Sequence, residues 1–122
     1  MIAGVGVDIV DIKRIGKTAG GAFIKKNFTA EETALFERRK YKPETVAANF
    51  AAKEAVMKSL GCGIFEIPLS DIEILRSETG KPVVNLYGKA KEKAEELGVK
   101  RVHVSISHDM GLAAAQAVAE GD

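Results

Sequence analysis

Apolar residues recur with helical period through the middle of the chain. At about 100° per residue, Val46, Phe50, Met57 and Leu60 fall in one sector of the wheel. Ala48, Ala52, Ala55 and Ser59 form a second stripe of small residues, which lets another backbone come close. Lys53 and Glu54 lie inside the apolar sector. A helix without a clear charged face is normally buried. These two charges therefore head for the interior, where they need a partner, neutralisation or a metal. Two plainer readings stand beside this one. Glu54 and Lys58 have the i, i+4 order of a surface pair worth about 0.2–0.5 kcal/mol, and Lys53 could snorkel its ammonium to water. Pro43 suits a first helical position, so the helix runs from about 43 to 60. Gly61 ends it and Gly63 keeps the next turn open, where an elongated ligand could lie along the helix end.

Around this helix the pattern predicts an α+β chain. Residues 2–7 read as a strand with Gly4 and Gly6 baring one face to close approach. Asp8 comes at its end as a candidate N-cap, a role that Asp11 serves equally well. A short helix over 11–19 turns Ile12, Ile15 and Ala19 inward and stops at Gly20-Gly21. Thr29 and Glu32 form a capping box opening a helix to about Arg39. Strands over 71–75 and 83–86 flank a turn with Gly80 at positive φ. A helix over 89–97 turns Ala90, Ala94 and Leu97 inward. Residues 101–107 alternate Val102, Val104 and Ile106 against His103, Ser105 and Ser107. His108 to Gly111 turn the chain into a returning strand over 112–118. The expectation is a single domain over 1–122, a mainly antiparallel sheet packed around a long central helix.

Composition narrows the class. At 122 residues the chain can bury a core unaided. Its apolar runs fall far short of the ~18–20 residues that span a membrane. No basic and then apolar leader opens it. Cys62 is the single cysteine, which excludes an internal disulfide and a cysteine-based zinc site, and with His103 and His108 as the two histidines a histidine-rich metal site is not expected. The expected compartment is cytoplasmic. Net charge is +1 but unevenly spread. Residues 11–42 carry nine Lys/Arg against four Asp/Glu, and the remainder nine against thirteen. That asymmetry points to an acidic partner docking on the basic region, or to a solvated basic face. Phe23, Phe28 and Phe36 sit at core-like positions and build no stacking platform, so nucleic acid is not the expected partner.

Ionisable groups stand where a plain core would not choose them: Asp8 at a strand end, Glu54 with Lys53 and Lys58 on the buried helix, and His108-Asp109 at a hairpin tip. Two carboxylates converging from different elements suit a hard cation such as Mg²⁺, which keeps waters and takes phosphate oxygens beside one or two carboxylates. The helix lysines would neutralise remaining phosphate charge. Serine and histidine at the hairpin could orient or deprotonate an attacking group.

The segments GVGVDIVDIKRI (4–15), FAAKEAVMKSLGCG (50–63), DIEI (71–74), TGKP (79–82) and VSISHDMGLAAAQAV (104–118) together resemble the holo-[acyl-carrier-protein] synthases, the small stand-alone branch of the 4′-phosphopantetheinyl transferases. The resemblance spans essentially the full chain and implies the fold of that family. The implied reaction moves 4′-phosphopantetheine from coenzyme A to a serine of apo acyl carrier protein, in support of fatty acid biosynthesis. That serine attacks the β-phosphorus and adenosine 3′,5′-bisphosphate leaves. By the same resemblance Asp8 and Glu54 match magnesium ligands. Phe50, which opens the F-x-x-K-E motif, Lys58, Gly61 and Gly63 match positions along the coenzyme A phosphates and pantetheine. Gly80, Lys81, Pro82, Ser107 and His108 match loops near its nucleotide end. Lys13, Arg14 and Lys17 match the helix that docks the acidic carrier protein. Lys58 would stabilise the transferring phosphoryl group, and His108, Glu54 or a metal-bound water could each serve as base. The family's assembly, a homotrimer with active sites between subunits, is implied too. Asn49 departs from the pattern, standing where relatives often carry a basic residue.

Overall fold

The computed structural model describes residues 1–63 and 66–122. Along the chain lie β1 (Ile2–Asp11), α1 (Ile12–Thr18), α2 (Gly21–Asn27), α3 (Ala30–Arg38), α4 (Pro43–Ser59), a 3-10 turn (Leu69–Asp71), β2 (Ile72–Arg76), β3 (Pro82–Leu86), α5 (Gly88–Glu96), β4 (Val99–Asp109) and β5 (Leu112–Gly121). Strands β1, β5 and β4 form one antiparallel sheet in that order, and β2–β3 is a separate hairpin. The α+β architecture with antiparallel sheets about a long helix is the expected one. Among the described residues no helix is long and apolar enough to cross a membrane.

Small residues decide how α4 meets the sheet. A Cβ on Gly4 would run into the Ser59 carbonyl, and one on Gly6 into the Ala55 carbonyl. The element lying against the bare face of β1 is therefore the small-residue stripe of α4. Ala48, Ala52 and Ala55 are buried there with Ala113, Ala115, Ala117 and Ala119 of β5. This places the backbone of α4 close to β1, which fixes the neighbours of Glu54 and Lys58. A second cluster gathers Ile12, Ile15, Ile24, Phe28, Phe36 and Val46, and Phe50 packs against both clusters.

Several boundaries differ from the sequence expectation. Strand β1 runs on to Asp11, paired with Leu112, so Asp8 sits inside a strand opposite Ala115 and not at its end. Asp11 takes the capping role, accepting from the Arg14 N–H at 3.1 Å. The glycine pair follows the end of α1 as expected, and a helix that the pattern does not predict, α2, starts at Gly21. The hairpin tip is only Met110-Gly111, both at positive φ, the two-residue geometry that matches strand twist. His108 and Asp109 are still strand, paired with Ala113 and Leu112. Leu97 faces outward, 45% exposed. The capping box at Thr29–Glu32, Pro43 in the first turn of α4 and the positive φ of Gly80 stand as expected.

Candidate active site

Lys53 and Glu54 are adjacent on α4 and meet different surroundings. Lys53 is fully buried, so it does not snorkel. Its ammonium donates to Glu32 Oε1 at 2.6 Å, to the Leu69 carbonyl at 3.0 Å and to the Ile72 carbonyl, with the Phe28 ring 4.9 Å away. Three donors find three acceptors. Glu32, equally buried, also accepts from the Thr29 N–H, the Asn49 side-chain amide and the Ile74 N–H. Burial pushes the Glu32 carboxyl up and the Lys53 ammonium down, and the attraction between them opposes both shifts. This closed network ties α3, α4 and β2 together. Its partner Glu32 was hidden from sequence reasoning by its other role in the capping box.

Glu54 is half-buried on the β1 side of α4. Burial and then the nearby Asp8 carboxylate push its carboxyl up, against Lys58. Lys58 does not pair with Glu54 along the helix. It donates instead to the Val7 carbonyl at 2.9 Å and to Asp8 Oδ1 at 3.3 Å. Asp8 Oδ2 is buried without a hydrogen-bond partner among the described residues. A buried acceptor left bare costs free energy, and here it lies in the field of a second carboxylate. No group of three or more His, Cys, Asp or Glu that could hold a metal occurs among the described residues. Two hard oxygen donors with an open oxygen fit a Mg²⁺ ion that takes its other ligands from water and phosphate.

The remaining predicted site residues fall at three places. Gly80 and His108 line a cleft of about 200 Å³ with Arg39, Glu44, Thr45, Ala48, Arg76 and Ile106. Arg39 and Arg76 were missed in the sequence. A basic residue closing the capping-box helix and another ending the DIEIL strand were the available signals. Gly61, at φ +70, and Gly63 follow the C-terminal end of α4. Lys81 is exposed and Pro82 begins β3. Ser107 is exposed on β4, next to His108. Phe50 stacks near Phe23, centroids 5.9 Å apart. Lys13, Arg14 and Lys17 are exposed on α1.

Within one chain the acidic pair and the His108 cleft are apart. Asp8 is on β1 and His108 on β4, the two edges of the sheet, with β5 between. Thr45 and Glu54, nine residues apart on α4, point about half a turn away from each other and lie about 13 Å apart along the axis. The outer face of β1 presents Val5, Val7 and Ile9, 62%, 63% and 62% exposed.

Comparison with known proteins gives a consistent picture. A model of the 4′-phosphopantetheinyl transferase superfamily matches residues 4–117. A holo-[acyl-carrier-protein] synthase of Clostridium novyi is 48% identical over 124 aligned residues, covering 100% of this chain and 90% of the relative. A crystal structure of a Plasmodium yoelii holo-ACP-synthase superposes with TM-score 0.89 at 41% identity, covering 100% of this chain and 97% of that one. A Helicobacter pylori holo-[acyl-carrier-protein] synthase in complex with coenzyme A gives TM-score 0.81 at 35% identity, covering 95% and 99%.

Proposed function

This chain belongs to the 4′-phosphopantetheinyl transferase superfamily, in its holo-[acyl-carrier-protein] synthase branch, and from that membership we propose a Mg²⁺-dependent reaction at Asp8 and Glu54. Coenzyme A is the donor and a serine of apo acyl carrier protein the acceptor. The serine oxygen attacks the β-phosphorus, the bond to adenosine 3′,5′-bisphosphate breaks, and the hydroxyl proton passes to a base. The observation that carries this reading is the buried, unpartnered Asp8 Oδ2 beside Glu54 and Lys58.

Mg²⁺ held by Asp8 and Glu54 would supply Lewis-acid neutralisation of pyrophosphate charge. Lys58, exposed next to the pair, presents its ammonium to the oxygens of the transferring phosphoryl group, where charge must be spread in the transition state. Glu54, with its carboxyl pushed up, is one proton acceptor. His108 is the other, an imidazole that can take a proton from a hydroxyl, but it reaches an acidic pair only from another copy of the chain. The separation of the two half-sites and the apolar row Val5, Val7 and Ile9 both favour a homotrimer with active sites between subunits. Gly61 and Gly63 would flank pantetheine near the motif-opening Phe50, and Gly80, Lys81, Pro82 and Ser107 the nucleotide end. Lys13, Arg14 and Lys17 form the exposed basic face for the acidic carrier protein. We assign the chain as a single domain over 1–122, acting in the cytoplasm in fatty acid biosynthesis.

The test is to incubate the chain with coenzyme A, Mg²⁺ and apo carrier protein and weigh the carrier. A gain of one phosphopantetheine group, dependent on Mg²⁺, is expected. No gain with any acyl carrier protein would overturn the reading.

A further inference from the structure

The tip of the β4–β5 hairpin carries the most exposed large apolar side chain among the described residues, Met110, at 90%. Its backbone makes a methionine an unfavourable choice there. Met110 lies at φ +51 and Gly111 follows at φ +77. A two-residue turn of this kind strongly favours Asn, Asp or Gly at its first central position. A long side chain in the left-handed region is uncommon, and such outliers gather at functional positions. With its side chain in solvent, Met110 returns nothing to the hairpin core. The tip is nevertheless fixed. The Met110 N–H donates to Asp109 Oδ1 at 2.9 Å, and the Gly111 carbonyl accepts from the Ile12 N–H at 2.9 Å. The second bond ties the tip to the start of α1, the helix that carries Lys13, Arg14 and Lys17, all exposed. Two carboxylates stand nearby, and both are engaged locally: Asp109 by the Met110 N–H and Asp11 by the Arg14 N–H. Among the described residues none of the three α1 cations has a carboxylate in ion-pair range. An adaptable thioether held beside unpaired cations matches a surface that mixes carboxylates with an apolar side chain.

We propose that Met110 is an apolar anchor of the carrier-protein docking surface, seated against an aliphatic side chain of the acidic partner that Lys13, Arg14 and Lys17 attract. This rests on the carrier-protein reading given above. Charge brings the partner on and orients it. Burial of the methionine against an apolar residue then separates this partner from other acidic surfaces.

Docking can be read without turnover, by calorimetry of apo acyl carrier protein binding in the absence of coenzyme A. Asn suits the left-handed position better than Met, so Met110→Asn should hold or raise the urea midpoint. It should weaken carrier binding about five- to tenfold, while Met110→Leu stays within about twofold. In the transferase assay the same factor should appear in KM for the carrier, with KM for coenzyme A unchanged. Added salt should weaken binding equally in the unaltered chain and in Met110→Asn, because an apolar contact is not screened. Full carrier affinity in Met110→Asn would overturn the proposal, as would no carrier binding by the unaltered chain. So would a matching rise in KM for coenzyme A, which would put Met110 at the donor site. A changed sedimentation coefficient would put it between copies of the chain and overturn the proposal too. Carrier binding that depends on Met110 in a chain that transfers nothing would support the anchor while removing the transferase.

Discussion

Residues 53 and 54 put two charges on consecutive positions of one helix, and the fold treats them in opposite ways. Lys53 has every donor satisfied, by Glu32 and two carbonyls, with no solvent contact. Glu54 shares a half-open site with Asp8, whose Oδ2 has no partner among the described residues. The first arrangement is complete in itself and holds α3, α4 and β2 together. The second is incomplete, and two carboxylates near each other with one lysine between them call for a cation and a phosphate. A buried charge that is fully bonded reads as architecture, and one left short of partners reads as function.

The contrast can be broken most forcefully at Lys53. Lys53→Met leaves the Glu32 carboxylate buried without its counter-ion and should destabilise the chain by about 3–5 kcal/mol in urea unfolding. A loss under ~1 kcal/mol would show that the pair is not structural. Asp8→Asn should do the reverse, lowering turnover at least about 100-fold, or ~2.7 kcal/mol, while the urea midpoint holds or rises because a like charge beside Glu54 is gone. A variant that unfolds as readily as Lys53→Met would erase the distinction. Removing both partners sharpens it further. The double variant Lys53→Met with Glu32→Leu should recover most of the lost stability, to within about 2 kcal/mol of the original chain. The smallest effect belongs to the outer sheet face, where hydrogen bonds from His103 and Arg101 hold the exposed Glu120 carboxyl below its usual range. A depressed folded-state pKa stabilises above the unfolded value near 4.5 and loses that contribution as pH falls through the folded one. Glu120→Gln should thus lower the melting temperature slightly at pH 7 and match the original chain near pH 3. A difference that grows on acidification would contradict this.

Much of this was legible before any coordinates. The mixed character of α4, with its small stripe and inward charges, follows from residue size and period, and the glycines of β1 supply the complementary surface. Other features were not readable for physical reasons. Helix α2 buries only Ile24 through its single short span, too little for a period to register, and the Gly20-Gly21 pair reads as a stop. Val5, Val7 and Ile9 alternate as an inward face would, yet it is Gly4 and Gly6, on the opposite face, that meet α4. Alternation identifies two faces without saying which is covered. Glu32 and Arg76 acquire their partners over sequence separations of 21 and 27 residues, which local patterns do not encode. Asp8, Glu54, Lys58 and His108 stand out as ionisable groups at positions a plain core would not choose, and the family resemblance assigns their roles and the other site residues. The structure brings Asp8, Glu54 and Lys58 together and sets His108 at the other edge of the sheet.

Titration of Mg²⁺ into the chain saturated with coenzyme A, followed by calorimetry, tests the pairing of Asp8 with Glu54 most directly. One Mg²⁺ per chain should bind, and Asp8→Asn or Glu54→Gln should weaken it about tenfold or more, the loss of one charged ligand at ~1.4 kcal/mol per decade. An isotherm identical in the unaltered chain and both variants would contradict the account, because the ion would then sit elsewhere.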